Sequence, residues 1–575
     1  MARLDPKVGA AARIFFMPFP ALDALFAAHG QASNLRGGDV FINAGEAPLG
    51  LCRLTAGRLA AVEPTGDGGS RVLLIHRPDA LIGGAELLTG DPHPVTLTAL
   101  RDSEIQSISR TIIEPLLRRS PVLLAELARS SLAAMREPAA ATRTKGVILG
   151  FVAVCDSVAM RDLVEALAER MRNMGASVAV LGAEADSCSS AELSQLEAEH
   201  DFLLMAAERQ DFDFAEFCGR QIDRLILVGS AHSPLPDGPF RFAAVAIQRH
   251  RLMDLILIQP PDTARPNGSA RWLAAAPAAR LFQIRRDDRG DLDRLARIFT
   301  GRSVGLVLSG GGARAYAHVG VLRALRALQV PIDFLAGASM GAVVAGGVAM
   351  GWDDLELDER LRAAFVASSP LADIAFPMLA MTFGREVARR LEEHFGDAEI
   401  PDLWRPFTCV STDLTAGEAF AHHTGRLRDA LRATISLPGV LPPVVLDGRV
   451  LVDGAVANNL PVDLVRSQHD GVTIGVDVAR ASGLAPDELK LRPAGLRWLT
   501  SGAWRRGPPI VSVLMRAATM PTARIADSMR DALDIVIEPE LDGVQLRDWK
   551  AYEPAVEAGY RATWAQAERL SQYSV

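Results

Sequence analysis

The sequence predicts a multidomain α/β protein, strand-rich at the front and built from two regions of alternating strands and helices behind. Three observations carry this. The 575 residues are 49% hydrophobic, far more than one core needs, which implies about three to four domains. Short strand-like runs broken by Gly, Asp and Pro fill residues 15–134. From Val147 onward, apolar strands alternate with helical patterns, as parallel sheets require.

At the front, DVFINAGE, GLCRLTAGRLAAV and RVLLIHRP read as strands between turn residues. The run EIQSISRTIIEPLLRRSPVLLAELARSSLAAM reads as helix, with Leu123, Leu127 and Leu132 near one face. REPAAATRTKG, residues 136–146, is expected to be a linker. Next, VILGFVAVCD is a continuous apolar strand. MRDLVEALAERMRNMG is a helix with Leu163, Leu167 and Met171 in line and Gly175 as its stop. ASVAVLG, DFLLMAAE, RLILVG and DLILIQPP are further buried strands. PPDTARPNGSARWL reads as a loop, and RGDLDRLARIFTGR closes the region near Arg302. A second α/β region starts at Val304. The expected domains are 1–138, rich in short strands; 145–300, an α/β domain with a parallel sheet; and 301–575, a second α/β domain.

Composition excludes several classes. Net charge is −8 with 23% charged residues, so no basic surplus favours nucleic acid or anionic lipid. The five cysteines (Cys52, Cys155, Cys188, Cys218, Cys409) lack metal-ligand spacing and read as reduced core thiols of a cytosolic protein. The start has no basic n-region before a long apolar one, so no signal peptide is expected. Residues 332–351 are long enough to span a bilayer. They carry Asp333 and Ser339, are Gly-rich and lack flanking Lys/Arg, so a span is not expected there.

Chemistry concentrates in three places. In VGLVLSGGGARAYAHVG, a buried strand runs into Gly310, Gly311 and Gly312, then Arg314 and a helix. Consecutive glycines let backbone N–H groups converge on an anion, either a phosphate or the oxyanion of acyl transfer. In Gly337-Ala338-Ser339-Met340-Gly341, the serine sits at a strand-to-helix junction between glycines, the setting of a nucleophile elbow. In LDGRVLVDGAVANNLP, Asp453 ends a short apolar strand, placed to reach another strand end of the same sheet. Asp447-Gly448 reads as an ordinary turn.

Together GGGAR, GASMG and DGA, in this order and with RATISLPGVLPPV between, resemble the patatin-like phospholipase family from Arg302 onward. The resemblance implies a Ser-Asp dyad. Ser339 would be the nucleophile and Asp453 the proton acceptor, with Gly310, Gly311, Gly312 and Arg314 at the oxyanion and Gly337 and Gly341 shaping the elbow. The implied activity is serine-dependent hydrolysis of phospholipid or lysophospholipid esters through an acyl-enzyme, with no cofactor and no metal. Two alternatives stay open. One is a Ser-His-Asp triad using His469, which follows Asp453 at an expected surface turn. His318 reads as a core or capping residue, and His422-His423 as a strand end. The other is a non-catalytic nucleotide-sensing or interaction protein holding a phosphate on Gly310–Gly312. DIAFPMLAMTFG, residues 373–384, could wall an acyl slot or simply pack the core.

The front resembles the cyclic-nucleotide-binding-like domain of the neuropathy-target-esterase-like branch, in RGGDVFINAGEAPLGLCRLTAGRL and LIGGAELLTGDPHPVTLTALRDSEI. Where that cassette has Glu and Arg, this sequence has Gly84 and His93, followed by Pro94, which has no N–H. The expectation is a retained fold without cyclic-nucleotide binding. The middle region is similar to the Rossmann- or P-loop-like region of bacterial relatives. Its first turn, CDSVAMRDL, lacks the Lys-Ser/Thr of a phosphate loop, so nucleotide hydrolysis is not expected. The expected setting is the cytoplasm, with peripheral contact at the inner membrane surface and no nucleic-acid partner.

Overall fold

The computed structural model describes residues 20–64, 70–136, 146–185, 188, 190–235, 252–276, 278–367, 373–375, 380–479, 528–546 and 548–575. Of the expected linker 136–146 only the two ends are described, and of the segment 373–384 residues 376–379 lie outside. The chain divides into two compact units. One comprises residues 1–151, 177–225 and 241–252; the other comprises 152–176, 226–240 and 253–575.

The front is a β-roll. Its strands are β1 (Gln31–Leu35), β2 (Val40–Ile42), β3 (Gly50–Ala56), β4 (Leu59–Pro64), β5 (Ser70–His76), β6 (Leu81–Ile82), β7 (Thr96–Ala99) and β8 (Ser103–Ser109). They form two four-stranded sheets, ordered β1-β8-β3-β6 and β2-β7-β4-β5. Ile42, Leu54, Leu59, Leu97 and Ile105 fill the space inside. Helices Arg110–Arg119 and Pro121–Arg136 follow. The helix expected from EIQSIS onward therefore begins only at Arg110. Leu123 and Leu127 are buried as expected, but Leu132 is exposed. Nine residues separate Leu123 from Leu132, which at 3.6 residues per turn puts them about 180° apart.

The middle region holds β9 (Val147–Ala153), β10 (Val178–Leu181), β11 (Phe202–Ala207), β12 (Arg224–Ser230), β13 (Leu252–Gln259) and β14 (Arg280–Arg285). Their order is β10-β11-β9-β12-β13-β14. Counted within the region this is 2-3-1-4-5-6, not the 3-2-1-4-5-6 of the dinucleotide-binding fold. Helix Met160–Asn173 stops near Gly175, whose φ is 82°. The loop expected over PPDTARPNGSARWL ends early, in helix Ser269–Ala275. Gly268, at φ 84°, turns the chain into that helix, and fully buried Trp272 anchors it.

The C-terminal sheet contains β15 (Val304–Leu308), β16 (Phe334–Ala338), β17 (Phe407–Asp413), β18 (Glu418–His422), β19 (Val444–Leu446), β20 (Arg449–Asp453), β21 (Val472–Val476) and β22 (Ile535–Ile537). The order is β19-β20-β17-β16-β15-β21-β22, with β18 paired to β17. Strands β16, β15, β21 and β22 run parallel, and β20 is antiparallel to β17. The apolar stretch 332–351 is split between β16 and helix Ser339–Met350, whose residues through Ala349 are all buried. Its greasiness is that of a helix enclosed on every side. No helix among the described residues is long and apolar enough to cross a membrane. Asp447 and Gly448, both at positive φ, close the β19–β20 hairpin as a two-residue turn.

Candidate active site

Register brings the site together. Ala338 of β16 pairs with Val410 of β17, and the next residue, Ser411, pairs with Asp453 at the end of β20. Ser339 and Asp453 therefore stand at one level of the sheet, with β17 between them. Ser339 has φ 52°, which a non-glycine residue rarely adopts and which the elbow imposes. Its N–H donates to Thr434 Oγ1 at 2.9 Å, and that hydroxyl donates on to the Val410 carbonyl. Gly341 sits where a Cβ would lie 2.4 Å from the Leu308 and Ser309 carbonyls, so the helix can press against the glycine turn.

Ser339 Oγ donates to Asp453 Oδ2 at 2.7 Å. Asp453 Oδ1 accepts from the Ala455 N–H at 2.9 Å, and its own N–H donates to the Ser436 carbonyl. The carboxylate is 1% exposed. Burial raises its pKa to about 6, against the opposing pull of the Ala455 and Ser339 hydrogen bonds.

The glycine turn lies next to this pair. Gly312, at φ 54°, packs where a Cβ would be 2.3 Å from the Leu546 carbonyl. The Gly310 N–H donates to Asn459 Oδ1 at 3.0 Å. Of the three glycines expected at an oxyanion, Gly310 thus has its N–H already engaged. The N–H groups of Gly311 and Gly312 have no acceptor among the described residues. Arg314 is buried in the turn Gly312–Tyr316. Desolvation lowers its pKa, while Asp477 and Asp542 support its charge.

The histidines lie elsewhere. His469 is not at a surface turn. It is 6% exposed, stacked on Phe334 and hydrogen-bonded to Ser303 and Gly471. Phe334 opens β16 and Ser339 follows its end, so strand rise alone separates the two levels by about 16 Å. His318 is fully buried, with Nε2 on the Ser309 carbonyl at 2.8 Å, and burial lowers its pKa to about 4. His422 ends β18, buried against Ser411. His423, beside it, is exposed.

Two site residues escape a reading of the sequence. Thr434 lies in RATISLP and Asn459 in ANNLP, where each looks like an ordinary helix or turn residue. Only the folded approach to Ser339 and Gly310 reveals them.

In the front cassette His93 is 3% exposed, with Nδ1 3.4 Å from Glu86 Oε1. Gly84 is pressed against the helix Pro121–Arg136, where a Cβ would meet Ser131 and Leu127. Arg101 is also buried, and its guanidinium reaches both oxygens of Glu197 at 2.8 Å.

Comparison with known proteins follows the same division. The model of the patatin-like phospholipase family matches residues 306–466, and that of the cyclic nucleotide-binding domain matches residues 33–120. An uncharacterized NTE family protein of Mycobacterium tuberculosis (strain H37Rv) is 30% identical over 546 residues, covering 91% of this chain and 89% of its own. Human patatin-like phospholipase domain-containing protein 6 is 27% identical over 582 residues, covering 88% of this chain but 42% of its own. Rat patatin-like phospholipase domain-containing protein 7 is 26% identical over 587 residues, covering 88% of this chain and 43% of its own. The two family matches fall in the order of the β-roll and the C-terminal sheet, one relative is 30% identical along about nine-tenths of both chains, and the chain belongs to the NTE family of patatin-like lipid hydrolases.

Proposed function

We propose that the protein hydrolyses phospholipid or lysophospholipid esters through a Ser339–Asp453 dyad. The observation that carries this reading is the 2.7 Å bond from Ser339 Oγ to the buried Asp453 carboxylate. Ser339 Oγ attacks the ester carbonyl and passes its proton to Asp453 Oδ2. The carbonyl electron pair moves onto oxygen, facing the N–H groups of Gly311 and Gly312. Collapse expels the alcohol, which takes the proton from Asp453, and leaves an acyl-enzyme. Water, deprotonated by the same carboxylate, then releases the fatty acid. A carboxylate raised to about 6 is a better base for a hydroxyl than a solvated one.

The triad reading loses its histidine, since His469 sits at the opposite end of the strands. A phosphate-holding role for the glycine turn is opposed by the neighbouring Asp453 carboxylate, which would repel a second anion. Peripheral contact with the inner membrane surface, from the cytoplasm, suits a lipid substrate and the exposed Phe383, Leu414 and Val445. Labelling by a fluorophosphonate, followed by turnover of phospholipid and lysophospholipid panels, tests the proposal. Label at Ser339 and fatty-acid release, both lost in Ser339→Ala, are expected. Release that persists in Ser339→Ala would refute it.

A further inference from the structure

Asn459 is half-buried in the turn that follows Asp453. Its amide meets one residue at both ends: Oδ1 accepts from the Gly310 N–H at 3.0 Å, and Nδ2 approaches the Gly310 carbonyl at 3.4 Å. Only a side chain with an acceptor and a donor side by side can satisfy both polar groups of one residue in this way. Resting on the acyl-transfer reading above, we propose that Asn459 is a positioning residue. It clamps the Gly310 peptide so that the N–H groups of Gly311 and Gly312 stay aimed at the oxygen that gains charge.

Three observations support the assignment. The clamp lies beside the nucleophile: a Cβ on Gly310 would stand 2.7 Å from Asn459 Oδ1 and 2.8 Å from Ser339 Cβ. The clamp is itself braced. Thr412 Oγ1 donates to the Asp453 carbonyl and accepts from the Ala457 N–H, and Asn458 donates to the Gly454 carbonyl and to Asp463. One short segment therefore delivers both the base and the clamp in fixed relation. The glycine turn is held on either side by other groups. His318 Nε2 and the Val478 N–H bind Ser309, and the Ala313 N–H binds the Leu546 carbonyl. Asn459 supplies the hold between them.

The test compares full-length wild type, Asn459→Ala and the same-sized Asn459→Asp on a monomeric short-chain ester. It uses two inhibitors. A trifluoromethyl ketone adds Ser339 Oγ to its carbonyl carbon, sends the carbonyl pair onto oxygen and the serine proton to Asp453. The corresponding secondary alcohol cannot add. Asn459→Ala is expected to lower kcat about tenfold to a hundredfold, less than the roughly 10²–10³ that outright loss of one oxyanion donor costs, because the Gly311 and Gly312 N–H groups remain and lose only their aim. KM should stay within about threefold, as befits an interaction made in the transition state. Ketone affinity should fall by the same factor as kcat/KM, and alcohol affinity should not change. Asn459→Asp should lose at least as much, because it places a carboxylate beside the forming oxyanion. Unchanged kcat, or KM and both inhibitor affinities shifting together, would overturn the proposal. Failure of both variants to fold would do so too, marking Asn459 as structural. Wild type that neither cleaves esters nor labels at Ser339 would instead refute the acyl-transfer reading itself.

Discussion

Burial sets the titration of Asp453, raising its pKa to about 6. In the proposed dyad it must be ionised to accept the serine proton, so kcat/KM should fall about tenfold per pH unit below about 6. Stability runs the other way. A carboxyl whose folded pKa is raised costs nothing below its ordinary value of 3.8. The penalty grows as pH rises to about 6 and is constant above. Asp453→Asn removes that penalty, so it should raise stability at pH 7–8 by on the order of 2–3 kcal/mol and change little near pH 4. Chemical denaturation at the two pH values checks this. The same variant should abolish hydrolysis. Combined with Ser339→Ala it should lose little more than either alone, because the two groups act as a unit. Near-normal turnover by Asp453→Asn would remove it from the mechanism.

At the scale of elements, the strands separate the roles of their two ends. The C-terminal ends of β15 and β16 lead into the glycine turn and Ser339, while His469 packs by their starts against Gly305 and Phe334. His469→Ala should leave kcat/KM within about threefold, where loss of a triad histidine costs roughly a thousandfold or more. It should instead lower stability by about 2–4 kcal/mol, through a cavity and the unpaired Ser303. Steady-state kinetics and a melting curve on one preparation separate these outcomes. The cassette of the front domain has a comparable logic. His93 is buried against Glu86, Gly84 is filled from behind by Leu127, and Arg101 is held by Glu197. None offers a guanidinium to a cyclic phosphate. Titration calorimetry of the full chain with cAMP or cGMP should show no saturable heat at micromolar concentration. A micromolar or tighter dissociation constant would show that the cassette rearranges to bind.

At the scale of the whole molecule, the β-roll is fastened by charge as well as by its core. Glu197 is shared by Arg101 and Arg58, and Arg58 also donates to the Gly146 carbonyl and pairs with Asp223 at 3.2 Å. Burial raises the Glu197 pKa even so, with both arginines pulling it down. Glu197→Ala would leave two buried guanidinium groups short of a partner, a change that typically costs about 3–5 kcal/mol. The expected outcome is faster amide exchange across β3, β4 and β8, with Ser339 still labelled by fluorophosphonate. Unchanged exchange would mean that Asp223 alone suffices.

By itself the sequence determined the fold class, and it offered Ser339, Asp453 and the glycine turn as candidates. An apolar run ending in glycines, a serine between glycines at a strand-helix junction and an aspartate closing a short strand are each common patterns; their order, in the resemblance that GGGAR, GASMG and DGA carry together, made them candidates for one site. Helix limits were less legible. EIQSIS and SARWLAA each carry mixed polarity, so alternation in β8 and the burial of Trp272 decided what the run alone did not. Tertiary structure alone decided which groups meet. Register across β17 levels Ser339 with Asp453 over 114 residues of chain. The return of the segment after Asp453 sets Asn459 on Gly310 over 149 residues and withdraws one of the three expected N–H donors. His469, polar and suitably ordered in sequence, is carried to the far end of the strands. Contacts between residues so far apart are set by sheet register and burial, and neither leaves a periodic mark on the chain that a local reading can follow.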